Sequence, residues 1–267
     1  MTTLPAPASP TALRRVRAVA AAEARLLARN RTALANSVVA PLLLVAVAPV
    51  LGIGGGSAGG MGLLVTAAVV TLVFLTYYNL VTAYVARRED LVLQRMRTGE
   101  LTDAEVLAAT AVPTLLVTAG QLALVAAGVA ALGGWRAPAD AVLPLLAVLL
   151  GAVLMAGLAA ASTLFTRTPE SAQITTLPVV LVATLGAGLF FPLTVLPDAL
   201  AQIARLLPVT PVVELLRLGL AGRTWTGEAV AGAELWTAAL GPLATLAAWT
   251  VLAGWVTARW FRWAPRR

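Results

Sequence analysis

Apolar residues run through this chain in long unbroken stretches, with most of the polar residues gathered between them. A helix needs about 20 consecutive apolar residues to cross the hydrocarbon core of a bilayer. Six stretches approach that length, at 37–53, 61–85, 106–132, 141–165, 171–191 and 235–258, the first containing Pro41 and Pro49. Residues 192–222 are also apolar, but Pro192, Pro197, Pro208 and Pro211 interrupt them. Proline removes an N–H and clashes with the preceding turn, so this region predicts two short helices and not a seventh span. The pattern predicts an all-α polytopic membrane protein of six transmembrane helices, in one membrane domain over 11–267.

Residues 11–35 read as an amphipathic helix ahead of the first span. At about 100° per residue, Arg14, Arg17, Arg25 and Arg29 share one sector, with Val16, Val19, Ala20, Leu26 and Leu27 opposite. Thr11 after Pro10 suits an N-cap. Such a helix lies in the membrane interface. Residues 1–10 read as a disordered lead-in, and no early apolar run with a small-residue cleavage site marks a signal peptide.

Residues 87–100, RREDLVLQRMRTGE, break the pattern, because half of them are charged. On a helical wheel from Arg88, Leu91, Val92 and Met96 share one side, with Asp90, Gln94 and Arg97 on the other. Thr98–Gly99 is a suitable stop, since Gly accepts the left-handed conformation after a helix. Thr102-Asp103-Ala104-Glu105 then matches a capping box just before the third span. Residues 87–105 thus predict a short helix, a break and a restarted membrane helix. Arg87, Arg88, Arg95 and Arg97 are offset by Glu89, Asp90, Glu100, Asp103 and Glu105. A segment serving only to orient the chain needs arginines alone; balanced charge with an apolar stripe suits a surface presented to another protein.

Two further connections carry information. Thr168 as N-cap, Pro169 at the first helical position and Glu170 in the first turn predict a helix start before the fifth span. In 192–222, Leu200, Ile203, Leu206 and Leu207 form one apolar face, and Thr210-Pro211 starts a second helix carrying Glu214 and Arg217 at i, i+3. At membrane depth such charges seek partners; in water the pair contributes little.

Composition sharpens the class. The chain is 60% hydrophobic and 12% charged, with mean hydropathy +0.89, whereas soluble domains carry about 25% charged residues. It has no Cys, His or Lys. Disulfides, thiolate or imidazole metal sites, Cys or His catalysis and Schiff-base lysines are therefore excluded. A P-loop needs its lysine on the phosphates, so the chain has no standard ATP site. The net charge of +7 reflects arginines flanking apolar spans and not nucleic-acid binding. With the N-terminus inside, fifteen arginines fall in inside segments, and only Arg136, Arg205, Arg217 and Arg223 fall outside. The positive-inside rule then predicts that both termini are cytoplasmic. Arg-only, Ala-rich usage is associated with GC-rich bacterial genomes and suggests a bacterial cell membrane.

Polar residues inside the spans leave two readings open. The second span holds Thr71, Phe74, Thr76, Tyr77, Tyr78, Asn79, Thr82 and Tyr84, and the fifth holds Gln173, Thr175, Thr176 and Thr184. At the α-helical period Thr71, Tyr78 and Thr82 share a side. These groups either bond helices together or line a substrate path. The six spans contain no Asp or Glu, which disfavours a stand-alone secondary transporter or channel, the alternative reading.

The six-span layout behind an amphipathic helix, the stretch REDLVLQRMRTGELTDAEVLAAT and the segment FFPLTVLPDALAQIARLLPVTPVVELLRLGL together resemble the ABC-2-type family, the membrane subunits of ABC exporters. The resemblance covers the chain from about Leu13. It departs from the family's commoner TPL after the arginine turn, with Arg97-Thr98-Gly99-Glu100-Leu101 in its place. It implies two membrane subunits, identical or paralogous, each resting on a separate cytoplasmic ATPase that holds ATP and Mg; the chain itself would carry no cofactor. The segment after the second span would be a coupling helix in a groove of that ATPase, with Glu89, Asp90, Leu91, Gln94, Arg95, Met96, Arg97, Thr98, Gly99 and Glu100 as contacts. The second and fifth spans would face a central cavity, with Thr71, Phe74, Tyr78, Asn79, Thr82 and Thr184 as candidate lining. Phe190, Phe191, Glu214 and Arg217 would be candidates for an outside gate. The cargo of such exporters is a drug, antibiotic, lipid or glycan.

Overall fold

The structure, a computed structural model, describes residues 56–98, 101–188 and 196–264 and four single positions before them. Apart from those four positions, the expected lead-in 1–10, interfacial helix 11–35 and first span 37–53 lie outside the described residues. Helix α1 (Gly56–Val70) runs without a break through a π-helical stretch (Thr71–Tyr78) into α2 (Asn79–Glu89). There follow α3 (Val92–Arg97), α4 (Asp103–Ala131), α5 (Val142–Ser162), α6 (Ala172–Thr175), α7 (Leu177–Gly186), α8 (Asp198–Arg205), α9 (Thr210–Ala221) and α10 (Ala233–Trp260).

Among the described residues, four helices are long and apolar enough to cross a membrane: Gly59–Glu89, Asp103–Ala131, Val142–Ser162 and Ala233–Trp260. The pair α8 and α9, bent by 88°, makes a fifth if taken as one span. The expected count of six is therefore not reached within the described residues. The expected fifth span appears as α6 and α7, which meet at Thr176. Pro178 explains the interruption, since it has no N–H to donate back to the preceding turn. The predicted helix start at Thr168 also shifts. Thr168 and Ser171 do bond reciprocally (Ser171 N–H to Thr168 Oγ1, 3.3 Å; Thr168 N–H to Ser171 Oγ, 3.1 Å). The residues between them form a tight turn, and regular helix begins at Ala172, not Pro169.

The rod Gly59–Glu89 is the centre of the packing. Val65, Val69, Val73, Tyr77, Val81 and Val85 are buried, as are Ala68, Leu72, Thr76, Leu80, Tyr84 and Arg88. Both series repeat every fourth residue. An α-helix repeats at about 3.6 residues, so a four-residue stripe would rotate away from its partners over this length. The wider i→i+5 winding of the π-helical stretch keeps it facing them. Helix α4 packs along α1 and the π-helical stretch, while α5 packs against that stretch, α9 and α10.

Large apolar side chains point away from this core along the long helices, among them Leu145 and Leu149 of α5 and Leu240 and Val251 of α10. Exposed apolar surface on this scale is a membrane surface, not a soluble one. At the start of α4 the capping box forms: Thr102 Oγ1 accepts the Glu105 N–H (3.3 Å), and Glu105 Oε2 accepts the Thr102 N–H (2.7 Å). Thr102→Ala should cost about 1 kcal/mol, read as a lower midpoint for thermal unfolding in detergent.

Candidate functional site

The segment predicted to meet a partner begins where the rod ends. Asp90 closes α2, and Leu91 takes φ 60°, the one non-glycine positive φ among the described residues. That conformation costs an L-residue about 1–2 kcal/mol. It turns the chain sharply into α3, so the continuous wheel from Arg88 does not apply. Leu91 is 40% exposed, and Leu93 is the fully buried residue; Val92 and Met96 are half-buried. Helix α3 stops at Thr98, whose hydroxyl donates to the Arg95 carbonyl (2.9 Å). Gly99 and Glu100 lie outside the described residues.

Arg88 fixes this corner. Its guanidinium is fully buried, although the residue follows a membrane span and opens the charged segment. Nη1 donates to the Thr163 carbonyl (3.1 Å), and Nη2 donates to those of Thr166 (2.8 Å) and Arg167 (3.1 Å). Nε lies 3.5 Å from Glu89 Oε1. The three carbonyls belong to the end of α5 and the turn after it, where helical carbonyls lack intrahelical donors and the helix dipole is negative. One side chain thus stitches the end of the rod to the end of α5. In the sequence Arg88 enters only as the start of the charged segment's wheel, in that segment's charge balance and as one of the inside arginines. The missed signal was the four-residue stripe Leu80, Tyr84, Arg88, which carries it into the core.

Arg97 is committed locally as well. Its Nε lies 2.8 Å from Asp103 Oδ1, and its guanidinium sits 5.0 Å from the Trp263 ring centroid. Trp263 stacks edge-on with Phe261, and Phe261 with Tyr84. The chain after α10 therefore folds against the segment, a contact that sequence reasoning did not anticipate. Arg95 is exposed and makes no ion pair among the described residues. Asp90, Leu91, Arg95, Arg97 and Thr98 form the exposed part of this corner, and Glu89 and Gln94 are half-buried. This surface of mixed charge rests on a base that joins α2, α4, the end of α5 and the residues after α10.

The profile described as ABC-2 type transporter matches residues 14–220, from ahead of the first predicted span into α9. The chain belongs to the ABC-2 type transporter family. It is a multi-pass membrane permease component of an ABC transporter, not itself the ATPase, and members of the family typically work with an ABC ATPase. Among curated proteins none matches the chain.

The permease divides the polar residues of its second span between two surfaces. Thr76 Oγ1 bonds Thr118 Oγ1 of α4 (2.7 Å), Tyr77 OH bonds Ser162 Oγ (2.9 Å), and Tyr84 OH donates to the Leu107 carbonyl (3.2 Å). These groups hold helices together. The four-residue period puts Gly62, Thr66, Val70, Phe74, Tyr78 and Thr82 on the outward stripe. Thr71 does not join Tyr78 and Thr82 as an α-helical wheel predicts; it is buried, because the π-helical winding has shifted the register. Phe74 is 49% exposed, Asn79 is exposed, and Thr82 donates to the Tyr78 carbonyl (3.2 Å). Thr184 is buried and donates to the Val180 carbonyl (2.8 Å).

Phe190 and Phe191 lie outside the described residues. Glu214 does not pair with Arg217. The bend between α8 and α9 brings Arg205 Nη2 to 3.0 Å from Glu214 Oε1, while the i, i+3 neighbour Arg217 makes no close ion pair among the described residues and feels Glu214 only through its charge. Thr210 Oγ1 locks the same corner, within hydrogen-bond distance of the Gly186 (2.9 Å) and Ala204 (2.7 Å) carbonyls. Trp249 Nε1 of α10 donates to the Leu206 carbonyl (2.7 Å).

Proposed function

We propose that this ABC-2 permease is the membrane part of a bacterial exporter, in which α3 is the coupling helix seated on a separate cytoplasmic ATPase. The reading rests on one observation above others: the exposed surface of mixed charge around α3, with Asp90 before the helix and Arg95 and Arg97 on it, sits on a base that Arg88 joins to the ends of two long helices. A push on α3 would then move the rod and α5 together. ATP and Mg belong to the ATPase, in keeping with the absence of a P-loop lysine. Two permease copies, or this chain and a paralogue, would enclose a path lined by the outward stripe of the rod, with Phe74, Tyr78, Asn79 and Thr82 as its polar and aromatic lining. Thr71 and Thr184 would support that path from behind. Glu214 and Arg217, with Phe190 and Phe191, would form the gate at the outer end. The excess of arginines on the α3 side supports cytoplasmic termini in the cell membrane, with cargo, whether drug, antibiotic, lipid or glycan, moving outward.

The two arginines of α3 separate contact from architecture. Arg95→Glu should lower transport and cargo-stimulated ATP hydrolysis several-fold in the reconstituted complex, with the midpoint for thermal unfolding unchanged, because the side chain reaches only the partner. Arg97→Gln should instead lower that midpoint, through loss of the Asp103 and Trp263 contacts. Full coupling in the Arg95→Glu complex would remove α3 from the interface.

A further inference from the structure

At the end of the bundle opposite α3, a cavity of about 350 Å³ opens between the start of the rod, the end of α7, helix α9 and the turn after it. Much of its wall is apolar, including Met61, Val65, Val213 and Leu220, with Trp225 beside them. Two guanidinium groups line it, those of Arg217 and Arg223, and none of the described lining residues is a carboxylate.

A single turn places both arginines. Gly222 ends α9 at φ 61°, and a Cβ there would meet the Val230 carbonyl oxygen at 3.0 Å. The reversal lets the Arg223 N–H reach the Arg217 carbonyl (3.5 Å), and the Val230 N–H closes the loop on the Gly222 carbonyl (2.8 Å). Arg223 Nη1 donates to the Gly227 carbonyl (3.0 Å), which orients the fork and leaves further N–H groups available. Arg217 is half-buried and makes no hydrogen bond or ion pair among the described residues. The carboxylate one turn before it, Glu214, makes its close ion pair with Arg205 and reaches Arg217 only through its longer-range charge. Cations against an apolar wall are costly without an anion, and the guanidinium fork matches phosphate oxygens in pairs.

The same wall leads out of the cavity. Gly62 and Thr66 line it and also head the rod's outward stripe, which continues through Val70 and Phe74. We propose that this cavity binds a phosphate-bearing amphiphile, its phosphate between Arg217 and Arg223 and its apolar chain along the rod toward Val70 and Phe74. The site depends neither on α3 meeting an ATPase nor on the direction of transport.

The test uses the full chain in nanodiscs of phosphatidylcholine containing a minor fraction of phosphatidylglycerol, with retained lipid counted by native mass spectrometry. The unmodified chain should retain phosphatidylglycerol in preference to phosphatidylcholine. Arg217→Gln and Arg223→Gln should each cut that preference about tenfold, the scale of one lost charge-assisted hydrogen bond. Arg136→Gln, which removes an exposed arginine outside the cavity, should leave it intact. Arg223 is itself exposed, so its variant should fold and decides the matter if Arg217→Gln does not. Unchanged preference in Arg223→Gln would overturn the proposal. Displacement of the lipid by inorganic phosphate alone would overturn the amphiphile and make this a site for a soluble anion.

Discussion

An Arg88→Met permease should reach the membrane but lose several kcal/mol of stability and most of its ATP-driven transport. The side chain is fully buried and donates to three carbonyls, that of Thr163 at the end of α5 and those of Thr166 and Arg167 in the turn after it. Without it those oxygens have no replacement donor in view, and a buried polar group left unsatisfied costs about 1–3 kcal/mol. A total of about 3–5 kcal/mol places the change at the extreme of single substitutions. Arg88→Lys should recover part of this, because it keeps the charge but offers a point donor in place of a planar fork. Stability and coupling can be read separately. In detergent the midpoint for thermal unfolding should fall for both variants, less for Lys. In the reconstituted complex ATP hydrolysis should continue but no longer respond to cargo. An Arg88→Met chain that is destabilised yet fully coupled would confine Arg88 to holding the fold.

The second large effect is expected at Gly219, where α9 meets the start of α5. A Cβ there would collide with Pro144 Cδ and lie 2.6 Å from Pro144 Cγ and 2.9 Å from Leu143 Cβ. All three atoms are close to backbone and have little room to give. The Gly219 carbonyl also accepts the Asp140 N–H (2.9 Å). Asp140 in turn caps α5 through the Val142 and Leu143 N–H groups (2.7 and 2.9 Å) and accepts from Trp236 Nε1 of α10 (3.0 Å). Three helices converge on this point. Overpacking of a tight core costs about 1–3 kcal/mol, so Gly219→Ala should lower the unfolding midpoint and Gly219→Val should lower it further. Pro144→Ala opens the space, and the double variant Gly219→Ala/Pro144→Ala should be more stable than the sum of the single changes implies. Strict additivity would mean that the helices part elsewhere.

Hydropathy located the long helices well because membrane solvation acts on length and composition. The expected 106–132, 141–165 and 235–258 became Asp103–Ala131, Val142–Ser162 and Ala233–Trp260. The capping box at Thr102 and Glu105 was equally legible, since its partners are three residues apart and need nothing from the rest of the fold. The interruption near Thr176 was legible in principle through Pro178. What escaped depends on register and on distant contacts. The π-helical stretch is set by the packing of a four-residue stripe against other helices, and no local residue choice announces it. The left-handed Leu91 is held by the structure around it and has no glycine to mark it. Arg88 and Glu214 find partners 75 to 79 and 9 residues away, across bends that a one-dimensional reading does not contain. As a result Leu93, which the continuous wheel leaves off the apolar stripe, lies in the core, and Arg205 takes the ion pair with Glu214.

Thr98, exposed at the end of α3, reports directly on whether α3 presents its exposed face to an ATPase on the cytoplasmic side. The chain contains no Cys, so Thr98→Cys introduces a unique thiol. Labelled with a membrane-impermeant maleimide in inverted and right-side-out vesicles, it should react from the cytoplasmic side, and the bound partner ATPase should protect it. Reaction from the outside, or undiminished labelling in the assembled complex, would contradict the account.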